Sequence, residues 1–450
     1  MTSPSTPRIA IVGSGPSGCY LAQSLRRHWP DAEIVILDRL ASPFGLIRYG
    51  VAADHQSTKA ITRQFERLFE RDGVRFAGNV ELGSDVTLTD LRACFDLVAL
   101  ATGLAEDRAL DIPGEHLPGV TSAGPFTRTL NAHPFAPVEL PDLGERAVII
   151  GGGNVAVDVL RFLAKRPEDF VGSDIADEPL AAYAAHPNSR ITVLSRSGIA
   201  AAKSDALMLR ELGKLAHVRF SCPDPLDVPA DADRSAHARS AAVRELIDPT
   251  RPTSAELEVE FRFGWVPERI EGTDHVSAVA LRAADGRTEL IDADAVIRAA
   301  GFQLGSGLAG VLGDGAGSAD SIGDADIGDA DIGIDLTHRT DLGFLAAGLY
   351  RTGWVKRGPV GTIPENRTDA KAVADEIATD AAAGMLVIDP ARLGFEGLPL
   401  SCRNASISYS HWTELNRAEC AAAGADRVRR KTPNHDAMLR LARTGAPTPA

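Results

Sequence analysis

The fold class predicted by the sequence is α/β, with two three-layer domains built on one plan. Three observations predict it. An apolar run, a glycine turn and an amphipathic stretch follow one another in "RIAIVGSGPSGCYLAQSLRR" (Arg8 to Arg27) and again in "RAVIIGGGNVAVDVLRFLA" (Arg146 to Ala164). Each is followed by a second short apolar strand, "EIVILD" and "RITVLS". A later apolar strand ending in Ala-x-Gly also recurs, as "FDLVALATG" (Phe95 to Gly103) and "ADAVIRAAGF" (Ala293 to Phe302). A chain of 450 residues is long enough for two to three such domains.

The first turn, Gly13-Ser14-Gly15-Pro16-Ser17-Gly18, is a complete G-x-G-x-x-G between strand and helix, the setting of a dinucleotide-binding, Rossmann-like domain. Gly13 permits the tight turn, Gly15 lets the backbone approach a pyrophosphate, and Gly18 lets helix and strand pack closely. The helix start that includes Ser17 offers amide donors and a partial positive charge. Asp38 closes the next strand and can accept hydrogen bonds from a ribose diol.

The second turn, Gly151-Gly152-Gly153-Asn154-Val155-Ala156, fits the G-x-G-x-x-A variant. Its next strand ends in Ser195-Arg196-Ser197, with no carboxylate at the position that grips a free 2′-hydroxyl. Arg196 would attract a 2′-phosphate, which favours NADP(H) over NAD(H). Two such domains imply two dinucleotides that exchange electrons, one a flavin and the other a nicotinamide. Neither a nucleophile nor a metal is expected.

Composition narrows the rest. The net charge of −14 argues against wholesale binding to nucleic acid or anionic membrane. Five scattered cysteines include no C-x-x-C pair, which argues against a dithiol centre and a cysteine metal site. The opening "MTSPSTPRIAIVG" has the look of a polar tail before a strand, and no run of 18 apolar residues occurs. A cytoplasmic location is the expectation. The unit Ile-Gly-Asp-Ala-Asp occurs twice, at Ile322 to Asp326 and Ile327 to Asp331; its spacing fits neither an EF-hand loop nor the nine-residue calcium repeat. It has the composition of an acidic, solvated insertion.

These motifs resemble the adrenodoxin-reductase-like ferredoxin–NADP reductases. "IVGSGPSG", "PFGLIRYGVAADH" (Pro43 to His55), "IPGEHLPG", "NAHP" (Asn131 to Pro134), "GGGNVAVDV", "LREL" (Leu209 to Leu212) and "GWVKRGPVGTI" (Gly353 to Ile363) match that family in order, over nearly the whole chain. The resemblance implies a glutathione-reductase-related architecture. In it an NADP domain (residues 111–345, with an acidic insertion near 312–335) is inserted into a discontinuous FAD domain (residues 1–110 and 346–450). It implies that Gly45, Leu46, Arg108, Trp354, Gly361, Thr362 and Ile363 join Gly13, Gly15, Ser17, Gly18 and Asp38 in holding FAD. Gly151, Gly153, Asn154, Val155, Ala156, Arg196 and Ser197 would hold NADP. His55 and Glu211 fall at polar positions near hydride transfer, in orienting or proton-handling roles. The helix after Thr362 would point its N-terminus at the flavin.

The implied activity is electron transfer from NADPH through FAD to an acidic ferredoxin, supplying a cytochrome P450 or similar oxygenase, by a monomer. Lys356, Arg357, Arg427, Arg429, Arg430 and Lys431 are the candidate docking cations. The alternative is an FAD-dependent enzyme, a monooxygenase or reductase, acting on a small organic substrate; a nucleotide-sensing protein is a third reading. The chain departs from the family at Ser197, where a second arginine is usual, and at Met208, where a glutamate is usual. NADH is therefore expected to serve as a second donor.

Overall fold

The computed structural model describes residues 6–305 and 343–444, so the acidic repeat lies outside the described residues. The chain forms two compact units. Of the described residues, the first comprises 6–106, 133–135, 302–305 and 343–444, and the second 107–132 and 136–301. The boundaries expected from sequence are 110/111 and 345/346. The return to the first unit comes earlier because Phe302 stacks on Trp354, with ring centroids 5.8 Å apart.

In the first unit, strands Arg8–Val12, Glu33–Asp38, Arg75–Gly78, Leu97–Leu100, Phe344–Ala346 and Leu349–Arg351 form one six-stranded sheet. All neighbours pair in parallel except Phe344–Ala346, which is antiparallel to Leu349–Arg351. Arg8–Val12 and Leu97–Leu100 are apolar almost throughout because both faces of the sheet are covered. On one face, helices Pro16–His28 and Ile363–Ala382 share a core through Leu21, Leu25, Ala370, Val373 and Ile377. On the other face Leu88, Leu91, Leu349 and Phe395 form a second core.

The second unit repeats the plan. Its sheet runs in the order Val120–Ser122, Ala295–Arg298, Arg146–Ile150, Arg190–Ser195, Leu257–Phe263, Val218–Ser221, all parallel. A three-stranded antiparallel sheet, Trp265–Gly272, Val276–Ala283 and Thr288–Asp292, packs on one face through Val279, Leu281 and Trp265. In both units the glycine turn lies at the carboxyl ends of the central strands, where open α/β sheets bind ligands. No helix among the described residues is long and apolar enough to cross a membrane.

Candidate functional site

Around the first glycine turn the backbones crowd one another. Gly13 has φ +110°, and a Cβ there would lie 2.4 Å from the Ala101 carbonyl oxygen. A Cβ on Gly18 would lie 2.0 Å from the Gly13 carbonyl oxygen. Gly15 differs: nothing lies within 4 Å of where its Cβ would be. That open face, beside the N-terminus of helix Pro16–His28, is the place a pyrophosphate needs. Gly45 packs against the Gly15 backbone instead, since a Cβ on Gly45 would sit 3.0 Å from Gly15 Cα. Leu46, in the next turn, remains 40% exposed.

Asp38 braces this turn as well as facing it. Its Oδ2 accepts from the Ser14 N–H (2.9 Å) and the Ser14 hydroxyl, and its Oδ1 from the Leu40 N–H (2.9 Å). A carboxylate has about four acceptor sites, so capacity for a ribose hydroxyl remains.

The late segment from Gly353 to Ile363 returns to this same turn, 349 residues apart in the case of Ser17 and Asn366. The Ser17 hydroxyl donates to Asn366 Oδ1 (2.9 Å), and Gly353 approaches so closely that a Cβ there would meet Ser17 Oγ at 2.1 Å. Asp369, on the same helix as Asn366, gathers the segment. Its Oδ2 accepts from Thr352 Oγ1 (2.9 Å) and the Gly353 N–H (2.7 Å), and its Oδ1 from Lys356 Nζ (2.8 Å). Thr362 caps the helix through a reciprocal pair with Glu365. Gly361 (φ +95°) and Ile363 flank it. The buried Nε1–H of Trp354 has no partner among the described residues, which suits a site completed by a ligand. His55 lies half-buried at the start of helix Gln56–Lys59.

In the second unit, a Cβ on Gly151 would lie 2.5 Å from the Ala299 carbonyl oxygen and one on Gly152 would lie 2.5 Å from Ser195 Oγ, while the face of Gly153 is open. Helix Asn154–Ala164 begins there. Arg196 is exposed just past strand Arg190–Ser195. Ser195 Oγ donates to the Ser197 carbonyl (2.9 Å), and the Gly264 N–H bonds both the Ser195 and Ser197 carbonyls (2.9 and 3.1 Å). Glu211 is held by the buried Arg161 (3.4 Å). Arg108, expected from the resemblance near FAD, belongs to this unit, where its N–H bonds the Gly301 carbonyl (3.0 Å).

A sequence model of the pyridine nucleotide-disulphide oxidoreductase family matches residues 7–199. Cindoxin reductase of Citrobacter braakii is 40% identical over 440 residues, 97% of this chain and 91% of that protein. The mitochondrial NADPH:adrenodoxin oxidoreductase of Homo sapiens is 34% identical over 463 residues, 98% of this chain and 93% of that one. The solved structure of Mycobacterium tuberculosis FprA in complex with NADPH matches with a TM-score of 0.82 at 29% identity, covering 97% of this chain and 99% of that one. The chain belongs to the adrenodoxin-reductase-like ferredoxin reductases.

For a member of these reductases, the expected docking cations need correction. Lys356 and Arg357 are 10% and 23% exposed and both lie against Asp369, at 2.8 and 3.4 Å. Lys431 is 5% exposed and donates to the Arg48 carbonyl (3.1 Å). Three of the six are thus structural. Within "RVRRK", Arg429 donates to Asn416 and is one-quarter exposed, while Arg430 is exposed. A run of cations in sequence does not say which side chains the fold turns inward.

Asn366 and Asp369 escaped the sequence reading, although a signal existed. They are polar residues on the inward face of a helix whose next inward positions are Ala370, Val373 and Ala374. Asp369→Ala is expected to loosen FAD by roughly tenfold or more, since a charge-assisted hydrogen bond contributes about 1.5–3 kcal/mol. FAD retained after ultrafiltration measures this, and a dissociation constant within twofold of the parent would refute it. The Asp369 carboxyl is held below its usual range: burial works to raise it, and hydrogen bonds from Lys356, Gly353 and Thr352 outweigh burial. A depressed carboxyl stabilises above its unfolded value of about 3.9 and loses that contribution as pH falls through the folded one. FAD retention should therefore fail only below about pH 4 for this cause.

Proposed function

We propose that the chain passes a hydride from NADPH, held by the second unit, to FAD held by the first, and then single electrons to an acidic ferredoxin-type iron–sulfur protein. A cytochrome P450 or similar oxygenase would be the final consumer, and the setting a cytoplasmic monomer. One observation carries the reading: two glycine turns of one plan differ at the end of the next strand, where the first has Asp38 and the second Arg196. A carboxylate suits a bare ribose, and a guanidinium suits a phosphorylated one.

Bound FAD would supply the change from two-electron to one-electron transfer. The chain's own residues bind and orient. Gly15 and the amides of Ser17 and Gly18 receive the FAD pyrophosphate, with Gly13 making the turn and Asp38 taking the ribose. Gly45, Leu46, Trp354, Gly361, Thr362 and Ile363 surround the ring, with Arg108 near the cofactor. Gly151, Gly153, Asn154, Val155 and Ala156 take the NADP pyrophosphate, and Arg196 with Ser197 the 2′-phosphate. His55 and Glu211 orient groups or hold protons at the hydride-transfer centre.

Acid treatment should release a yellow compound with the mass of FAD. NADPH should bleach the anaerobic protein, and added ferredoxin should restore its colour faster than oxygen does. Cytochrome c reduction through ferredoxin should fall steeply with salt, while ferricyanide reduction changes less, because screening shortens to about 8 Å at physiological ionic strength. Fast reoxidation by oxygen with no response to ferredoxin would overturn the reading.

A further inference from the structure

We propose that Lys203 binds the pyrophosphate of the nicotinamide dinucleotide from the side of the second glycine turn. The inference rests on the reading of the second unit as the NADPH-binding one. After the strand end at Ser195, the chain runs back across the turn as a strap from Ser197 to Asp205. Every part of that strap is tied down. Buried Arg239 donates to the carbonyls of Ile199 (3.3 Å) and Ala200 (2.6 Å). The Lys203 N–H bonds the Gly152 carbonyl (2.9 Å), and Lys203 pairs with Gly153 as an isolated parallel bridge. The Asp205 N–H donates to Asn154 Oδ1 (2.7 Å).

Two consequences follow for the lysine. Its backbone is one strand spacing, about 4.8 Å, from Gly153, the glycine whose open face admits the phosphates. Its side chain lies on the exposed side of the strap, between buried Ala202 and buried Ser204. Among the described residues its ammonium has no carboxylate or hydrogen-bond partner. The nearby Asp205 instead caps helix Ala206–Leu212, its Oδ1 accepting from the Leu207 N–H (2.7 Å). A compact ammonium on a four-carbon stem, anchored by its backbone beside the turn, is placed for a phosphate oxygen. Arg196, past the strand end, is left for the 2′-phosphate. The two cations then have separable roles: Lys203 serves both NADPH and NADH, and Arg196 serves NADPH alone.

The test is equilibrium titration of the FAD-loaded full chain with NADP+ and NAD+ by calorimetry, with no turnover involved. Lys203→Met should weaken both dinucleotides by a similar factor of roughly tenfold at low salt. FAD content and melting temperature should stay at parent values, and Lys203→Arg should restore most of the affinity. Arg196→Ala, as the contrast, should weaken NADP+ and leave NAD+ nearly unchanged. If Lys203→Met leaves both constants within twofold, or weakens NADP+ alone, the inference is wrong. If the parent protein binds neither dinucleotide, the inference fails together with the reading beneath it.

Discussion

Gly15→Ala is expected to leave the fold intact and strip the protein of FAD. A Cβ at this position meets no protein atom within 4 Å, so the apoprotein has room for it. The methyl instead occupies the face that a pyrophosphate must approach, beside the first amides of helix Pro16–His28. Each charge-assisted hydrogen bond lost to that displacement contributes about 1.5–3 kcal/mol, or roughly 10- to 100-fold in affinity. Gly18→Ala is the contrasting variant. Its Cβ would lie 2.0 Å from a backbone oxygen, so the turn itself must move and stability falls along with FAD. Visible absorbance measures the first effect and circular-dichroism melting the second. A Gly15→Ala protein that keeps FAD at parental affinity would show that the pyrophosphate lies elsewhere.

Glu419→Gln should destabilise the first unit by about 3–5 kcal/mol, the usual cost of breaking a buried ion pair by removing one partner. Arg48 and Glu419 are 4% and 1% exposed. Arg48 Nη2 donates to both Glu419 oxygens, at 2.7 and 2.6 Å, and Glu419 Oε1 also accepts from the Thr432 N–H (3.0 Å). Around this one carboxylate lie further cations: Lys59 and Lys431 both donate to the Arg48 carbonyl, and Arg429 stands 3.9 Å from Glu419. The guanidinium lies 4.8 Å from the Trp412 ring and 4.9 Å from the Tyr49 ring, so no water shell can replace the lost charge. An amide in place of the carboxylate keeps the shape and removes the compensation. Urea unfolding of the FAD-saturated protein, followed by Trp fluorescence, gives the number. The double variant Arg48→Met with Glu419→Met should recover part of it, because it removes the unpaired guanidinium, while Lys59 and Lys431, which donate to the carbonyl of residue 48, still lose the nearby carboxylate. A single variant within 1 kcal/mol of the parent by this measure would mean that water or a neighbouring group already neutralises Arg48.

Much of the fold was legible because its signals are local. A buried parallel strand must be apolar throughout, a tight turn onto a helix must have glycine where backbones touch, and both patterns can be read within about twenty residues. Strands Glu33–Asp38 and Arg190–Ser195 appear where the sequence predicts them, and Gly13, Gly18 and Gly151 are crowded as their motif positions require. The difference between Asp38 and Arg196 is likewise a local fact of strand ends.

Two dinucleotide turns, their different charges and the family resemblance that orders them are thus readable from the residues alone. What the polar side chains between those turns do depends on how distant segments pack. Asn366 and Asp369 matter because helix Ile363–Ala382 packs beside helix Pro16–His28, a contact between segments some 350 residues apart that no local window contains. Lys431 reads as a docking cation in "RVRRK", yet the fold buries it beside Arg48. Lys203 has no motif at all, and acquires a neighbour at Gly153 only through a backbone bridge. Local pattern specifies which backbone a segment adopts, because propensity and periodicity act over a few residues. Which charge meets which partner depends on long-range packing, and a charge's role follows from its partner and its burial.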